Sequence, residues 1–190
     1  MKLIIASNNK HKIYEIKKIL GDKFDIIMSL SEAGIDHETV EDGKTFMENA
    51  LKKAREIAAI SGACALADDS GICAHALGGE PGIYSARYSG GHGNDLLNND
   101  LLIKNLSDKS DKGAHYTAAV ALVYPDGREV TAEGYMYGRI IDTPRGERGF
   151  GYDPIFVPDG EERTVAQMSD EEKNAISHRA NALKILLSRI

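Results

Sequence analysis

The chain has 190 residues, with 23 Lys and Arg against 29 Asp and Glu, and a formal net charge of −6. Hydrophobic residues make up 42% and charged residues 27%, a balance typical of globular proteins rather than disordered or fibrous ones. The acidic balance argues against a nucleic-acid binder. The longest apolar run, Ala118 to Tyr124, is shorter than the roughly 20 residues of a membrane span, and no signal peptide is evident. We therefore expect a cytoplasmic protein with no nucleic-acid or membrane partner.

The start of the chain predicts the opening of an α/β unit. A buried strand is expected over Lys2 to Ala6, and the polar turn Ser7-Asn8-Asn9 after it supplies a helix N-cap. Ile13, Ile16 and Leu20 then have the spacing of one apolar helix face. Strand, polar turn and helix in this order are typical of α/β folds.

The next segments predict a strand, a helix and another strand. Phe24 to Met28 is a candidate strand, and a capping box at Thr45 predicts the start of a helix that ends at Gly62. Ala63 to Ala67 follows as a short apolar strand. It is expected to end in a turn formed by Asp68-Asp69-Ser70-Gly71.

The second half predicts a long hairpin between helices. A helix is expected over Asp95 to Leu106, and two strands, Ala114 to Tyr124 and Arg128 to Ile141, are joined by a Pro-Asp-Gly turn. The tail from Asp170 to Ile190 is predicted to be helical, with a second start at Ser177. These elements predict an α/β or α+β fold with a mixed sheet.

The tract Ser7-Asn8-Asn9-Lys10-His11-Lys12 lies between the first strand and the first helix. A helix N-terminus offers free N–H groups and partial positive charge, which suit a phosphate, and the lysines add to both. The glycines of a Walker loop are missing. An ordinary N-cap with solvated lysines is the alternative interpretation.

Two acidic tracts, Asp68-Asp69-Ser70-Gly71 and Glu41-Asp42-Gly43, form a second cluster. Adjacent carboxylates repel each other unless a cation or positive side chains balance them. Mg²⁺ usually takes one or two protein carboxylates together with phosphate oxygens. The Asp68 tract thus predicts a metal-binding or catalytic role, with a solvated turn as the alternative. The Glu41 tract taken alone is more typical of a solvated loop, and its interest is as a remote second carboxylate for the same metal.

A third cluster combines Gly149-Phe150-Gly151-Tyr152-Asp153-Pro154 with Ser177-His178-Arg179 and Lys173. The glycines permit close approach of a flat ligand, an aromatic ring can stack on a base, and His and Arg can bind a purine edge. When this cluster is considered by itself, a loop–helix junction is the more ordinary interpretation. Taken together, the three clusters predict a Mg²⁺-dependent enzyme that acts on a nucleotide polyphosphate.

These tracts resemble the inosine triphosphate pyrophosphatase family, also called Ham1-like. Six tracts in the family's order carry the resemblance, namely residues 7–12, 41–50, 67–71, 77–88, 149–154 and 177–179. The resemblance implies a single domain over residues 1–190, an elongated mixed α/β fold of two lobes with the active site in the cleft between them, and a homodimer. It also implies Mg²⁺-dependent hydrolysis of inosine and xanthosine triphosphates, ribo and deoxy, to monophosphate and pyrophosphate, which cleanses the nucleotide pool.

The resemblance also implies residue roles. Triphosphate binding is assigned to Ser7, Asn8, Asn9, Lys10, His11, Lys12 and Lys53. Magnesium binding is assigned to Glu41, Asp68 and Asp69, of which Asp69 also activates water, and Ser70 contacts substrate. Base recognition is assigned to Phe150, Gly151, Tyr152, Asp153, Lys173, His178 and Arg179.

Two other functions remain open. A Maf-type pyrophosphatase acting on modified pyrimidine nucleotides is the first, and the Ser177-His178-Arg179 tract argues against it. A catalytically silent nucleotide-binding module is the second, and the intact acidic tracts argue against it. A substrate panel distinguishes all three.

Overall fold

The computed structural model describes residues 1–91 and 93–190. Its strands are β1 (Lys2–Ile5), β2 (Ile26–Ser29), β3 (Cys64–Ala74), β4 (Gly113–Val123), β5 (Glu129–Ile140) and β6 (Phe156–Pro158). Its α-helices are α1 (Lys10–Leu20), α2 (Phe46–Ser61), α3 (Asp95–Leu106), α4 (Asp170–Ile176) and α5 (His178–Leu187). Within those residues, no helix has both the length and the apolar composition needed to cross a membrane.

The six strands form one sheet in the order β2-β1-β3-β4-β5-β6. β1 pairs in parallel with both β2 and β3, whereas β5 pairs with β6 in the antiparallel direction. The sheet is therefore mixed, and the predicted mixed α/β class is confirmed.

The chain divides into two compact units, and neither is one continuous segment. Unit 1 comprises Met1–Asp69, Ala118–Gly134 and Arg179–Ile190. Unit 2 comprises Ser70–Thr117 and Tyr135–His178. Strands β3, β4 and β5 each contribute residues to both units. The single domain of two lobes implied by the family resemblance stays a prediction.

The core of unit 1 consists of a sheet with helices against both faces. Successive side chains of a strand point to opposite faces, so Leu3 and Ile4 of β1 enter different clusters. Leu3 packs with Ile16 of α1 and Leu183 of α5. Ile4 packs with Ala54 of α2. The sheet of unit 1 thus has an α1/α5 face and an α2 face.

The core of unit 2 is a separate apolar cluster. It joins Ile72 of β3 and Tyr116 of β4 to Leu102 and Leu106 of α3 and to Phe156 of β6. The apolar face of α3 therefore holds this helix against the sheet residues of its own unit.

The prediction for β3 was wrong in its extent. The expected strand stopped at Ala67, but β3 continues to Ala74, so Asp68 and Asp69 lie within the strand instead of in a turn. Charged residues inside a strand resemble a turn in sequence, because buried charges are rare unless they are paired. Here both carboxylates are buried, and each lies beside a lysine, Lys12 for Asp68 and Lys53 for Asp69.

The C-terminal region confirms the predicted second helix start. The helix α4 begins after Ser169, whose side chain forms a capping box with Glu172, and ends at Ile176. Ser177 then adopts an extended conformation, and α5 begins at the next residue, His178.

Candidate active site

The turn between β1 and α1 is organised by two polar side chains. Ser7 Oγ accepts a hydrogen bond from the backbone N–H of Asn9 at 3.1 Å. Asn9 Oδ1 accepts from the N–H groups of His11 and Lys12 at 3.0 and 3.1 Å. Asn9 is therefore the N-cap of α1, and the prediction that this turn supplies the cap is confirmed. Three further members of the predicted phosphate tract are exposed: Asn8, Lys10 and His11.

Asp68 lies on the α1/α5 face of β3 and is enclosed by cations. Lys12 Nζ of α1 lies 2.7 Å from Asp68 Oδ1. Arg179, at the start of α5, donates from Nε to Asp68 Oδ2 at 3.2 Å. Arg179 also pairs through Nη1 with Glu15 of α1, and its side chain is 0% exposed. Both carboxylate oxygens of Asp68 are thus engaged by side chains of unit 1.

The charge state of Asp68 follows from these partners. Burial alone would raise the pKa of Asp68, but the charges of Arg179 and Lys12 outweigh burial and hold that pKa well below its usual range. Burial would likewise lower the pKa of Arg179, and the carboxylates of Asp68 and Glu15 raise it instead. Asp68 and Arg179 therefore both stay ionised at neutral pH.

Asp69 points to the α2 face of the same strand. Asn49 Nδ2 donates to Asp69 Oδ2 at 3.0 Å, and Asn49 Oδ1 accepts from the N–H of Gly43 at 2.8 Å. Lys53 Nζ lies 2.6 Å from Glu41 Oε1 and 3.5 Å from Asp69 Oδ1. Asn49 and Lys53 are one helical turn apart, so α2 presents both to Asp69.

The pKa of Asp69 shifts in the opposite direction to that of Asp68. Burial raises it, Glu41 raises it further, and Lys53 and Lys12 offset only part of the increase. Lys53 itself has a raised pKa, because Asp69 and Glu41 outweigh the effect of its burial. A carboxylate with a raised pKa is a better proton acceptor than an ordinary aspartate.

Glu41 and Asp69 fit a divalent cation. Both carboxylates already converge on one cation, the Lys53 ammonium group, and carboxylate oxygens are the ligands that Mg²⁺ prefers. Asp68 fits less well, because its oxygens face Lys12 and Arg179. Within the described ranges, no three His, Cys, Asp or Glu side chains are arranged as a metal site. These two carboxylates would therefore need ligands from outside the protein to complete a metal site.

In unit 2, Asp153 organises the loop around Phe150. Asp153 Oδ2 accepts from Lys173 Nζ at 2.8 Å and from the N–H of Phe150 at 3.0 Å. Asp153 Oδ1 accepts from the hydroxyl group of Tyr116 at 3.3 Å. Lys173 Nζ also lies 4.7 Å from the centre of the Phe150 ring, a cation–π distance.

Two further aromatic side chains complete this cluster. The imidazole ring of His178 stacks on the ring of Tyr116, with centroids 4.6 Å apart and planes 10° apart. Burial and the nearby charge of Asp153 raise the pKa of Tyr116 well above its usual value. Tyr152 donates from its hydroxyl group to the carbonyl oxygen of Ser85 at 2.7 Å. Contacts through Asp153 and Tyr116 therefore link three groups of unit 2: the Phe150 ring, the Lys173 ammonium group and the His178 imidazole.

Comparison with known proteins places this chain in a family. The family model described as Ham1 family matches residues 3–189. The chain belongs to the Ham1 family. A dITP/XTP pyrophosphatase of Streptomyces avermitilis is 48% identical to it, over 98% of this chain and 95% of that protein. One of Clostridium perfringens is also 48% identical, over 97% and 95%. A solved HAM1 protein from Coxiella burnetii has 37% identity, a TM-score of 0.90 and complete coverage of both chains.

These similarities confirm the family resemblance stated from the sequence, including its bacterial branch. They also confirm that this Ham1-family chain is a hydrolase of a phosphoanhydride bond, because its full-length relatives are named pyrophosphatases. The mixed fold agrees with the solved Ham1 protein.

The structure places the predicted site residues of this Ham1-family chain in two sets. Unit 1 contains Ser7, Asn8, Asn9, Lys10, His11, Lys12, Glu41, Lys53, Asp68, Asp69 and Arg179. Unit 2 contains Ser70, Phe150, Gly151, Tyr152, Asp153, Lys173 and His178. Arg179 was predicted to recognise the base, yet its guanidinium group lies among the unit 1 charges, beside Asp68 and Glu15.

Sequence reasoning missed three residues that support the others. Asn49 is four residues before Lys53, and Glu15 is three residues after Lys12, so helical spacing could have indicated both. Tyr116 lies inside an apolar strand, where no local pattern marks it as the residue that contacts His178.

Proposed function

We propose that this Ham1-family protein hydrolyses non-standard purine nucleoside triphosphates, those of inosine and xanthosine in ribo and deoxy form, to the monophosphate and pyrophosphate. Relatives named dITP/XTP pyrophosphatase support the substrate class. The observation that carries the proposal is the buried carboxylate of Asp69, held by Asn49 and placed with Glu41 around Lys53. Such an enzyme removes these nucleotides before polymerases use them.

Mg²⁺ is the proposed cofactor, with Glu41 and Asp69 as its protein ligands. When bound, Mg²⁺ supplies positive charge that neutralises phosphate oxygens and makes phosphorus more accessible to a nucleophile. Glu41 and Asp69 would hold the metal, and Lys53, whose ammonium group lies within 3.5 Å of both carboxylates, would contact phosphate oxygens. Lys12 lies at the end of α1 nearest the polar turn and supplies a second ammonium group.

Asp69 is the proposed general base. Its carboxylate accepts a proton from the attacking water while the water oxygen bonds to the α-phosphorus. The bond from the α-phosphorus to the bridging oxygen breaks, and that oxygen leaves with pyrophosphate. Asn49 keeps Asp69 oriented through Oδ2, and Lys12 and Lys53 offset the charge that develops on the leaving group.

The unit 2 set is proposed to recognise the base. The ring of Phe150 offers a stacking surface, and donors from Lys173 and His178 favour the 6-oxo group of hypoxanthine or xanthine over the 6-amino group of adenine. Arg179 is proposed to act from within unit 1, by fixing Asp68, because its guanidinium group is fully buried there. The homodimer and the cytoplasmic location remain predictions from the sequence.

Pyrophosphate release from a substrate panel tests this function. The triphosphates of inosine, xanthosine, adenosine, guanosine and thymidine are compared with Mg²⁺ and with a chelator, and Asp69→Asn serves as the inactive control. We expect Mg²⁺-dependent release from the inosine and xanthosine substrates alone. Release only from pyrimidine substrates would support the Maf-type alternative. A folded protein that releases none would be a binding module.

A further inference from the structure

Helix α3 holds one residue of the base-recognition loop at two points. Asp95 Oδ2 accepts a hydrogen bond from the N–H of Gly151 at 2.7 Å. Asn99 Nδ2 donates to the carbonyl oxygen of Gly151 at 3.2 Å. Asp95 and Asn99 are four residues apart, so they lie on the same side of α3. We refer to Asp95 and Asn99 together as the Gly151 clamp.

The loop that the clamp holds needs external support. Gly149 and Gly151 have φ angles of +77° and +62°, a region that L side chains rarely adopt. Glycine loses more conformational freedom on ordering than any other residue, so this loop has little local preference for one shape. Asp153 fixes the N–H of Phe150, and the clamp fixes both polar groups of the next residue. The backbone of Phe150 is therefore held from two directions.

The two clamp residues differ in burial and in how well their polar side-chain atoms are hydrogen-bonded. Asp95 is exposed, and its charge strengthens the bond that it accepts. Asn99 is buried at 3% exposure, and its Oδ1 has no hydrogen-bond partner among the described residues. An unpaired buried oxygen destabilises the fold, so the presence of an amide side chain at position 99 needs another explanation. Its bond to the carbonyl oxygen of Gly151 supplies that explanation.

We propose that the Gly151 clamp makes α3 a specificity element, in which Asp95 and Asn99 are positioning residues that preset Phe150 for the purine base. The inference rests on the proposed function, because it assigns base stacking to Phe150. The clamp residues act through the Gly151 backbone and need no contact with the nucleotide. The triphosphate is bound by other residues, so removal of the clamp should weaken binding of the base without weakening binding of the phosphates.

The test compares Asp95→Ala and Asn99→Leu with a matched control, Asp100→Ala. Asp100 is an exposed carboxylate on the same helix. We expect each clamp variant to raise KM for inosine triphosphate about tenfold, the change that loss of one hydrogen bond worth about 1.4 kcal/mol produces. We expect kcat to stay within about threefold. The inhibition constant of inorganic triphosphate, which has no base, should not change.

A binding measurement separates positioning from general damage. Calorimetry with inosine monophosphate in the absence of metal should show weakened binding in both clamp variants and unchanged binding in Asp100→Ala. Asp95→Asn keeps an acceptor oxygen and should restore most of the affinity lost in Asp95→Ala. If Asp95→Ala does not fold, Asn99→Leu and Asp95→Asn still provide the comparison.

Three results would overturn the inference. The first is an unchanged KM in folded clamp variants, and the second is an inhibition constant of inorganic triphosphate that rises in step with KM. The third is an equal effect in Asp100→Ala. A wild-type protein without activity on purine triphosphates overturns the proposed function and this inference with it. An active wild-type protein with unaltered clamp variants overturns the inference alone.

Discussion

The two faces of β3 give adjacent aspartates different surroundings. On the α1/α5 face, Asp68 contacts two cations, Lys12 and Arg179, and its pKa is held low. On the α2 face, Asp69 and Glu41 share one lysine, and the pKa of Asp69 is raised. Both aspartates are buried, so burial does not separate them. The ratio of cations to carboxylates on each face determines which aspartate has a lowered pKa and which has a raised one.

The largest expected effect comes from Asp69→Asn. This change removes the proposed proton acceptor but keeps the shape of the side chain and an oxygen for Asn49. We expect kcat to fall about 10³-fold, within the usual range for a general base. Pyrophosphate release measures kcat. Urea unfolding measures the free energy of unfolding, which should change little. Retention of most activity would remove Asp69 from the role of base.

Next in size is the effect of Arg179→Met on folding. The substitution leaves the carboxylates of Asp68 and Glu15 buried without their shared cation, and we expect the free energy of unfolding to fall by about 3–5 kcal/mol. The double variant Asp68→Asn/Arg179→Met should be more stable than the single variant, because it removes one stranded charge. Urea titration measures both. A small stability loss with a large rise in KM would instead favour base recognition by Arg179.

The opposite pKa shifts predict opposite pH slopes of stability. The pKa of Asp68 is lower in the folded state than the ordinary value of 3.8, so its contribution is complete above about pH 5 and is lost as the pH falls below 3.8. The pKa of Asp69 is raised, so its ionisation opposes folding as the pH rises. Urea unfolding at pH values from 3 to 6 gives the free energy of unfolding. Compared with the wild-type protein, its rise with pH should be shallower in Asp68→Asn and steeper in Asp69→Asn. Equal slopes would contradict the comparison.

The smallest expected effect comes from Asp42→Asn. Asp42 is exposed and pairs with Lys52 at 2.6 Å, whereas its neighbour Glu41 faces Lys53. Exposed ion pairs contribute little, so kcat and KM should each change less than about twofold. Glu41→Gln in the same assay should reduce kcat far more. A large effect of Asp42→Asn would bring that residue into the acidic site.

Local patterns made much of unit 1 predictable. The strand, N-cap and helix around Asn9 follow from adjacent residues, and so does the N-cap of α2 at Thr45. The predicted capping box at Thr45 is only half formed, because Glu48 Oε2 accepts from the N–H of Lys44 instead of that of Thr45. The course of β3 through Asp68 and Asp69 was not predictable in this way. Its charges are tolerated because of cations far away in sequence, and no window around β3 contains them.

Local sequence also does not predict that the adjacent residues His178 and Arg179 contact different partners. The family resemblance treats them as one tract, which led to one role for both. Consecutive helical residues point about 100° apart, and in α5 this sends the imidazole to Tyr116 and the guanidinium to Asp68. The clamp is a similar case, because nothing in Asp95 or Asn99 indicates a partner at Gly151.

The place of Arg179 in the chain has a consequence for biosynthesis. Glu15 and Asp68 are translated early, whereas Arg179 belongs to the segment of unit 1 that follows all others. From the synthesis of Asp68 until that of Arg179, a nascent chain therefore carries two acids whose common counterion does not yet exist. We expect those acids to stay hydrated until that segment leaves the ribosome, which delays closure of this half of the protein and lengthens the time during which a chaperone can engage it.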